Sequence, residues 1–135
     1  LMTSALIAAD WYIVPAFPSG YDLKGLEVLT RTIDKVRKAY NPKLNLAGVL
    51  LGNYDRTTAL DKQVHEMLRN RFTPALVFST TIGRSVRYRE ATMMRLTIFE
   101  HPQGGEQAAQ FQTLVKEMIN RGAKGAFGAT LNPLP

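Results

Sequence analysis

Leu46-Ala47-Gly48-Val49-Leu50-Leu51, followed at once by Gly52-Asn53-Tyr54-Asp55-Arg56-Thr57-Thr58, is the stretch that decides the fold. A continuous apolar run of strand length, with no polar alternation, is the pattern of a parallel strand whose two faces are both covered by helices. Helical patterns precede and follow it. Upstream, Leu23, Leu26, Leu29, Ile33, Val36 and Tyr40 recur three or four residues apart, with Arg31, Asp34, Lys35, Arg37 and Lys38 on the other faces. That spacing predicts a helix capped by Ser19 or Asp22 and running to about Tyr40, where Asn41-Pro42 ends it. Downstream, Leu60, Val64, Met67, Leu68 and Phe72 form the stripe of a helix that starts at Thr58, with Asp61 three residues after this cap.

Further out the same rhythm repeats. Trp11-Tyr12-Ile13-Val14-Pro15 is an aromatic and β-branched run stopped by proline, read as a buried strand behind a short helix carrying Met2, Leu6 and Ala9. After Pro74, Ala75-Leu76-Val77-Phe78 reads as a third strand, and a last helix from about Glu106 to Arg121 is expected to bury Ala108, Phe111, Val115 and Met118. Between them, the basic segment Ile82-Gly83-Arg84-Ser85-Val86-Arg87-Tyr88-Arg89-Glu90-Ala91 leads into an irregular stretch ending at His101-Pro102-Gln103-Gly104-Gly105. Alternating strands and helices imply right-handed crossovers and an α/β fold, a parallel sheet with flanking helices.

Composition agrees with one globular domain. A chain of 135 residues, 45% hydrophobic and 21% charged, is long enough to bury roughly 65–70% of its unfolded surface. No apolar run approaches the roughly 20 residues a membrane span needs. Cysteine is absent, which excludes disulfides, thiolate metal sites and a cysteine nucleophile. The opening Leu1-Met2-Thr3-Ser4-Ala5 carries neither a charged leader nor a cleavage-site pattern and reads like text from within a domain. Residues 122–135 are rich in Gly and Ala; lacking P-loop spacing and following a helix, they read as a solvated tail and not a phosphate cradle. A net charge of +6 and a pI near 9.8 suit polyanionic partners, or simply a basic surface.

Several catalytic arrangements fail on spacing. His65-Glu66-Met67-Leu68-Arg69 begins like a zinc-protease helix, but Arg69 stands where the second imidazole must lie one turn on, leaving His65 a surface residue. His101 has no carboxylate pair or second His close in sequence and reads the same way. Ser85 sits among arginines with no Gly-x-Ser-x-Gly elbow and no histidine nearby.

Ligands of open α/β sheets bind beyond the carboxyl ends of the strands. Here that means residues 15–22, 52–58 and 80–91. The second of these loops offers an amide, an aromatic ring and Arg56; the third places Arg84, Arg87 and Arg89 around a single Glu90. Two readings stand for these arginines, ion pairs with neighbouring carboxylates or contact with a polyanion.

Taken in order, Ala5-Leu-Ile-Ala-Ala-Asp10, Val14-Pro-Ala-Phe-Pro18 with Leu23-Lys-Gly-Leu26, Asn41-Pro-Lys-Leu44, Gly48-Val-Leu-Leu51 with Tyr54-Asp55, Gln63-Val64 and Thr81-Ile-Gly-Arg-Ser-Val-Arg-Tyr-Arg-Glu-Ala91 resemble the C-terminal half of ParA/Soj partition ATPases, relatives of MinD. The resemblance covers residues 1–121, and the Arg-Ser-Val-Arg-x-Arg-Glu-Ala block is its most specific part. It implies the C-terminal half of a P-loop NTPase domain with a deviant Walker A motif. Intact members bind ATP and Mg, form a homodimer around two nucleotides, bind double-stranded DNA nonspecifically and hydrolyse ATP when a ParB-type centromere-binding protein stimulates them. Plasmid or chromosome partition, in a cytoplasmic and nucleoid-associated setting, is the implied role. By matching positions Asn53 and Gly83 fall on the adenine side, Gly83 replacing the proline of the usual Ile-Pro-Arg. Arg87 falls on a DNA-binding arginine, with Arg84 beside it; the other DNA-binding arginine aligns with Thr57, next to Arg56.

This sequence contains no Walker A or Walker B motif. No catalytic residue or metal ligand is therefore expected in it, the chain alone is expected not to hydrolyse ATP, and no cofactor is expected to bind it tightly. A ParA-like ATPase positioning another cargo and a truncated, ATP-independent DNA-binding module are the alternatives. A MinD-like membrane role lacks the basic amphipathic helix it would need after residue 121.

Overall fold

The computed structural model describes residues 1–18, 23–72 and 75–123. In chain order these form α1 (Met2–Ala8), β1 (Trp11–Ala16), α2 (Leu23–Tyr40), β2 (Asn45–Leu51), α3 (Ala59–Phe72), α4 (Arg87–Met93) and α5 (Gly105–Ala123). Ser19 and Asp22, the expected caps of α2, lie outside the described residues, as do residues 124–135 of the tail. The helix α5 continues two residues past Arg121, into what the sequence assigned to that tail.

β1 and β2 pair in parallel, from Trp11 opposite Asn45 to Ala16 opposite Leu51, with an irregularity after Tyr12 that skips Ala47. The crossover between them is α2, as the alternation required. β2 is buried along most of its length, whereas β1 is a half-exposed strand with Pro15 facing out. A proline without a donor is tolerated where the edge carries no neighbour, and among the described residues β1 pairs only with β2. The expectation of a buried first strand is corrected accordingly.

One apolar cluster joins Val14, Leu46, Val49 and Leu51 of the strands to Val64, Leu68 and Phe72 of α3 and to Val77. A second joins Leu6 of α1, Ile33 and Val36 of α2, and Leu44. The α3 stripe is narrower than the periodicity suggested, since Leu60 and Met67 are exposed and Asp61 is buried in their place. The reason is a hydrogen bond: Asp61 accepts the Asp55 backbone N–H at 2.7 Å, which turns that side of the helix toward the preceding loop. Tyr40, at the end of the α2 stripe, is likewise exposed. Asn41 does more than stop α2. Its side-chain amide donates to the carbonyls of Leu6, Ile7 and Ala9 at 2.8–3.1 Å, serving the carbonyls that the end of α1 leaves without helical partners.

The third strand is reduced to two isolated parallel bridges, Val49 with Val77 and Tyr54 with Gly83. Val49 N–H donates to Leu76 O (2.7 Å) and Phe78 N–H to Val49 O (2.9 Å). The amide that should next face β2 is that of Thr80, two residues on. It donates instead to Glu117 of α5 at 2.9 Å, beside Ser79 N–H to the same carboxylate at 2.7 Å. Four residues along α5, Arg121 donates to the carbonyls of Ala75 and Val77, both at 2.9 Å. Side chains of α5 thus occupy the outer edge of this segment, and by capturing Thr80 they interrupt the ladder. Arg121 also lies 4.4 Å over the fully buried Phe78 ring, whose Cε2 edge requires glycine at 48, where a Cβ would come within 2.6 Å of it.

This docking fixes the phase of α5. Gln107, Ala108 and Leu114 are buried and Val115 is exposed, so the expected burial of Val115 is corrected: Glu117 and Arg121 must face residues 75–80, which turns Leu114 inward.

Candidate nucleotide-side cleft and basic loops

The loops after β1, after β2 and after the bridged segment converge at one end of the sheet. Gly52 N–H closes onto Ala16 O at 2.8 Å, and Asn53 follows with φ of 51°, a left-handed conformation that asparagine tolerates better than most residues. Tyr54 N–H then donates to Ile82 O and Arg84 N–H to Tyr54 O, each at 3.0 Å, tying the second loop to the third. The result is a cleft of about 710 Å3 lined by Asn53, Gly83 and Arg84 together with Pro15, Phe17, Tyr88 and Phe111. Its walls are mostly apolar. Tyr88 meets Phe111 edge to face at 6.2 Å between centroids, and burial, then the charge of Glu106, pushes the Tyr88 hydroxyl up from its ordinary range.

Of the five residues singled out by sequence, three share this cleft. Arg56 lies in a neighbouring hollow of about 320 Å3 that also touches Gly83, Glu106 and Gln110, and its guanidinium stands 3.3 Å from Glu106 with both side chains largely exposed. Arg87 lines neither space. It pairs with Glu90 at 2.9 Å, and the hydrogen bond from Arg87 is the main cause holding the Glu90 carboxyl below its usual range, with His101 a lesser one. Among the described residues no carboxylate is within ion-pair distance of Arg84 or Arg89.

His101 departs from the surface reading. It is buried, its Nε2 sits 2.9 Å from Glu90 and its Nδ1 accepts Gln103 N–H at 3.0 Å. An Nδ1 that accepts leaves the proton on Nε2, so neutral His101 donates to Glu90. The partner lies eleven residues upstream, too far along the chain for local sequence to pair them. His65 is also not a simple surface residue: it is half-buried, with its ring edge to face against Tyr54 at 6.1 Å. Ser85 has a structural use, accepting the Arg87 N–H at 3.1 Å just ahead of α4.

The turn after β2 is built on Asp55. Its carboxylate accepts Thr57 N–H at 2.9 Å and the Thr57 hydroxyl at 2.6 Å. The hydroxyl bond is the largest cause lowering its pKa, and the Arg84 charge contributes at a distance. Sequence reasoning missed Tyr88, Gln110 and Glu117. Tyr88 stands within a basic run whose charges dominate its local pattern, and the periodicity of α5 marks its apolar stripe but not its polar grips.

Among the described residues no group of three or more His, Cys, Asp or Glu is placed to hold a metal ion, and no helix is long and apolar enough to cross a membrane. No family model matches the chain. Curated proteins do. It is 37% identical over 121 residues to the chromosome-partitioning ATPase Soj of Thermus thermophilus, a match spanning 90% of this chain and 48% of that protein. It is 36% identical over 123 residues to the chromosome partitioning protein ParA of Caulobacter vibrioides, across 90% of this chain and 45% of the relative. With the ParA of Myxococcus xanthus it shares 32% over 121 residues, 90% of the chain against 42%. The chain therefore spans less than half the length of these relatives. Over nine-tenths of its own length the chain is thus similar in sequence to ParA and Soj chromosome-partitioning proteins, as a partial ParA-like stretch.

Proposed function

We propose that this chain contributes the base-side wall of a nucleotide cleft and a basic, DNA-facing loop surface to a partition ATPase of the ParA/Soj type. The observation that carries the reading is the meeting of Asn53, Gly83 and Arg84 in one largely apolar cleft beyond the strand ends, the place where open α/β sheets bind ligands. Aromatic and apolar walls with one amide side chain suit a flat purine. They do not suit a magnesium triphosphate, for which this chain offers no Walker A cradle and, among the described residues, no carboxylate cluster. ATP and Mg are thus proposed for the whole assembly, with phosphate chemistry supplied by groups other than these, and the P-loop NTPase architecture belongs to that proposal. So do the ATP-bound homodimer, a ParB-type stimulating partner and nucleoid association.

Nonspecific double-stranded DNA is the polyanion proposed for the loop arginines. Arg84 and Arg89 are the better placed, while Arg87 must share its charge with Glu90 and Arg56 with Glu106. Phosphate contacts of this kind position without reading sequence. Titrating the 135-residue chain with ATP and with GTP, followed by amide shifts, tests the first half: ATP is expected to move Asn53 and Gly83 selectively at millimolar concentration, with no turnover. Equal shifts with GTP, or shifts confined elsewhere, overturn the adenine assignment. Fluorescence anisotropy on two unrelated duplexes tests the second half. Arg84→Ala and Arg87→Ala are each expected to weaken both alike and to flatten the salt slope by about one phosphate contact, whereas an effect on one duplex only, or none, returns these arginines to surface ion pairing.

A further inference from the structure

We propose that Gln110 is the positioning residue of the cleft wall, and that glycine at 83 leaves its amide the room to act. The inference rests on the nucleotide reading only for what the wall is used for. Gly83 N–H donates to Gln110 Oε1 at 2.9 Å. A Cβ at residue 83 would lie 3.1 Å from Gln110 Nε2 and 3.5 Å from Oε1, so the space a side chain would fill is taken by the same amide that accepts the hydrogen bond. Gly83 is not in the left-handed region, and backbone conformation gives no reason for glycine there. Contact with Gln110 does.

The loop needs such a fixture. Between the two bridges Thr80 is drawn away from β2 to Glu117, and the chain must return for Ile82 N–H to reach Leu51 O and Arg84 N–H to reach Tyr54 O, each at 3.0 Å. Gln110 sits two helical turns before Glu117 on α5, so one rigid helix holds both ends of the excursion. Gln110 faces the smaller hollow and Gly83 borders both spaces. Losing the bond therefore lets the wall of the larger cleft relax without removing any residue that lines it.

The test compares Gln110→Met, which keeps the length but removes the acceptor, with Gln110→Glu, which keeps it. Hydrogen exchange at the amides of Ile82 and Arg84 reports the docking of the loop in every variant. Gln110→Met is expected to speed both by about fivefold, the scale of one net hydrogen bond, while Gln110→Glu stays near wild type. Gly83→Ala, which puts a Cβ 3.1 Å from Gln110 Nε2, is expected to displace that amide and speed them comparably, and Gln110→Met should add nothing in that background. Unchanged exchange in Gln110→Met, equal loss in Gln110→Glu, or multiplied effects in the double variant would overturn the assignment. In the same samples, ATP-induced shifts at Asn53 are expected to weaken in Gln110→Met and be retained in Gln110→Glu. If ATP leaves even the wild-type cleft unmoved while the exchange pattern holds, the nucleotide reading falls and the role of Gln110 stands.

Discussion

The two edges of β2 are held by different means. Toward β1 the contact is a backbone ladder of six residue pairs with one irregularity after Tyr12. Toward residues 75–84 it is two isolated bridges, and the far edge of that segment is gripped by side chains of α5 at Gln110, Glu117 and Arg121. A backbone ladder survives most substitutions because every residue brings the same donor and acceptor. A side-chain grip depends on a few particular residues. The candidate cleft has Gly83 and Arg84 of the gripped segment in its wall, so its geometry is adjustable by single changes on a helix that contributes little else to it.

The largest expected effect is therefore at Arg121. Its side chain is mostly buried, donates to two carbonyls and pairs with Glu117 at 3.1 Å. Truncation leaves the Glu117 carboxylate partly buried without its charge partner, and Arg121→Ala is expected to cost about 2–4 kcal/mol in urea unfolding. If the loss is below about 1 kcal/mol, α5 merely rests against the segment and the contrast between the two edges disappears. The acid side gives a second measure. Burial pushes the Glu117 carboxyl up, but the hydrogen bonds from Thr80 and Ser79, with the Arg121 charge behind them, outweigh it and leave the net direction down from 4.5. A carboxylate with a depressed folded pKa contributes stability that is complete above its unfolded pKa and is lost as pH falls through the folded one. Amides 79 and 80 should lose exchange protection as pH falls below the ordinary glutamate range, and Glu117→Gln should abolish that dependence; a flat profile in wild type would show that the carboxylate is not what holds them.

The same contrast explains what was legible. β2 is legible in six residues, since a buried strand writes its burial into an unbroken apolar run. α2 and its parallel crossover followed from period and handedness. Ala75-Leu76-Val77-Phe78 has the local pattern of a full strand; what interrupts it is a carboxylate 37 residues away, which no local pattern encodes. For α5, Leu114 and Val115 fit a helical stripe equally well, and only the grip on residues 75–80 decides between them. Asn53 and Gly83, which loop position and family resemblance single out, both line the cleft. Tyr88, Phe111 and Gln110 enter the site through tertiary packing, and His101 meets Glu90 across a turn whose path the sequence does not announce.

Two intermediate effects probe contacts that flank the comparison. Gly48→Ala puts a methyl group 2.6 Å from a Phe78 carbon, and overpacking beside a ring also covered by Arg121 is expected to cost about 1–3 kcal/mol. Because Phe78 bonds β2 through its own amide, the loss should appear first as faster exchange at 78 and not in β1; uniform exchange across both edges would mean that they open together. On the ladder side, Asn41→Ala removes the amide that serves three carbonyls at the end of α1. A loss of about 1–2 kcal/mol is expected, with α1 released before β1, and a Gly substitution should not restore it.

The smallest expected effect is the one that makes DNA measurements interpretable. Arg56 and Glu106 stand 3.3 Å apart with side chains 75% and 67% exposed, a pair in which solvent screening and side-chain entropy offset most of the attraction. Arg56→Ala is expected to shift stability by no more than about 0.5 kcal/mol and to leave exchange at Gly83 unchanged, even though both residues border the same hollow. Arg87 differs, because its side chain and that of His101 both hydrogen-bond Glu90, and its removal disturbs a turn as well as a surface. A drop in duplex affinity with Arg56→Ala at unaltered stability therefore assigns that side chain to DNA directly, whereas the same drop with Arg87→Ala needs the exchange rates around His101 beside it. If Arg56→Ala instead destabilises by more than 1 kcal/mol, the pair with Glu106 anchors the start of α5, and the gripped edge of the sheet extends one contact further than Gln110.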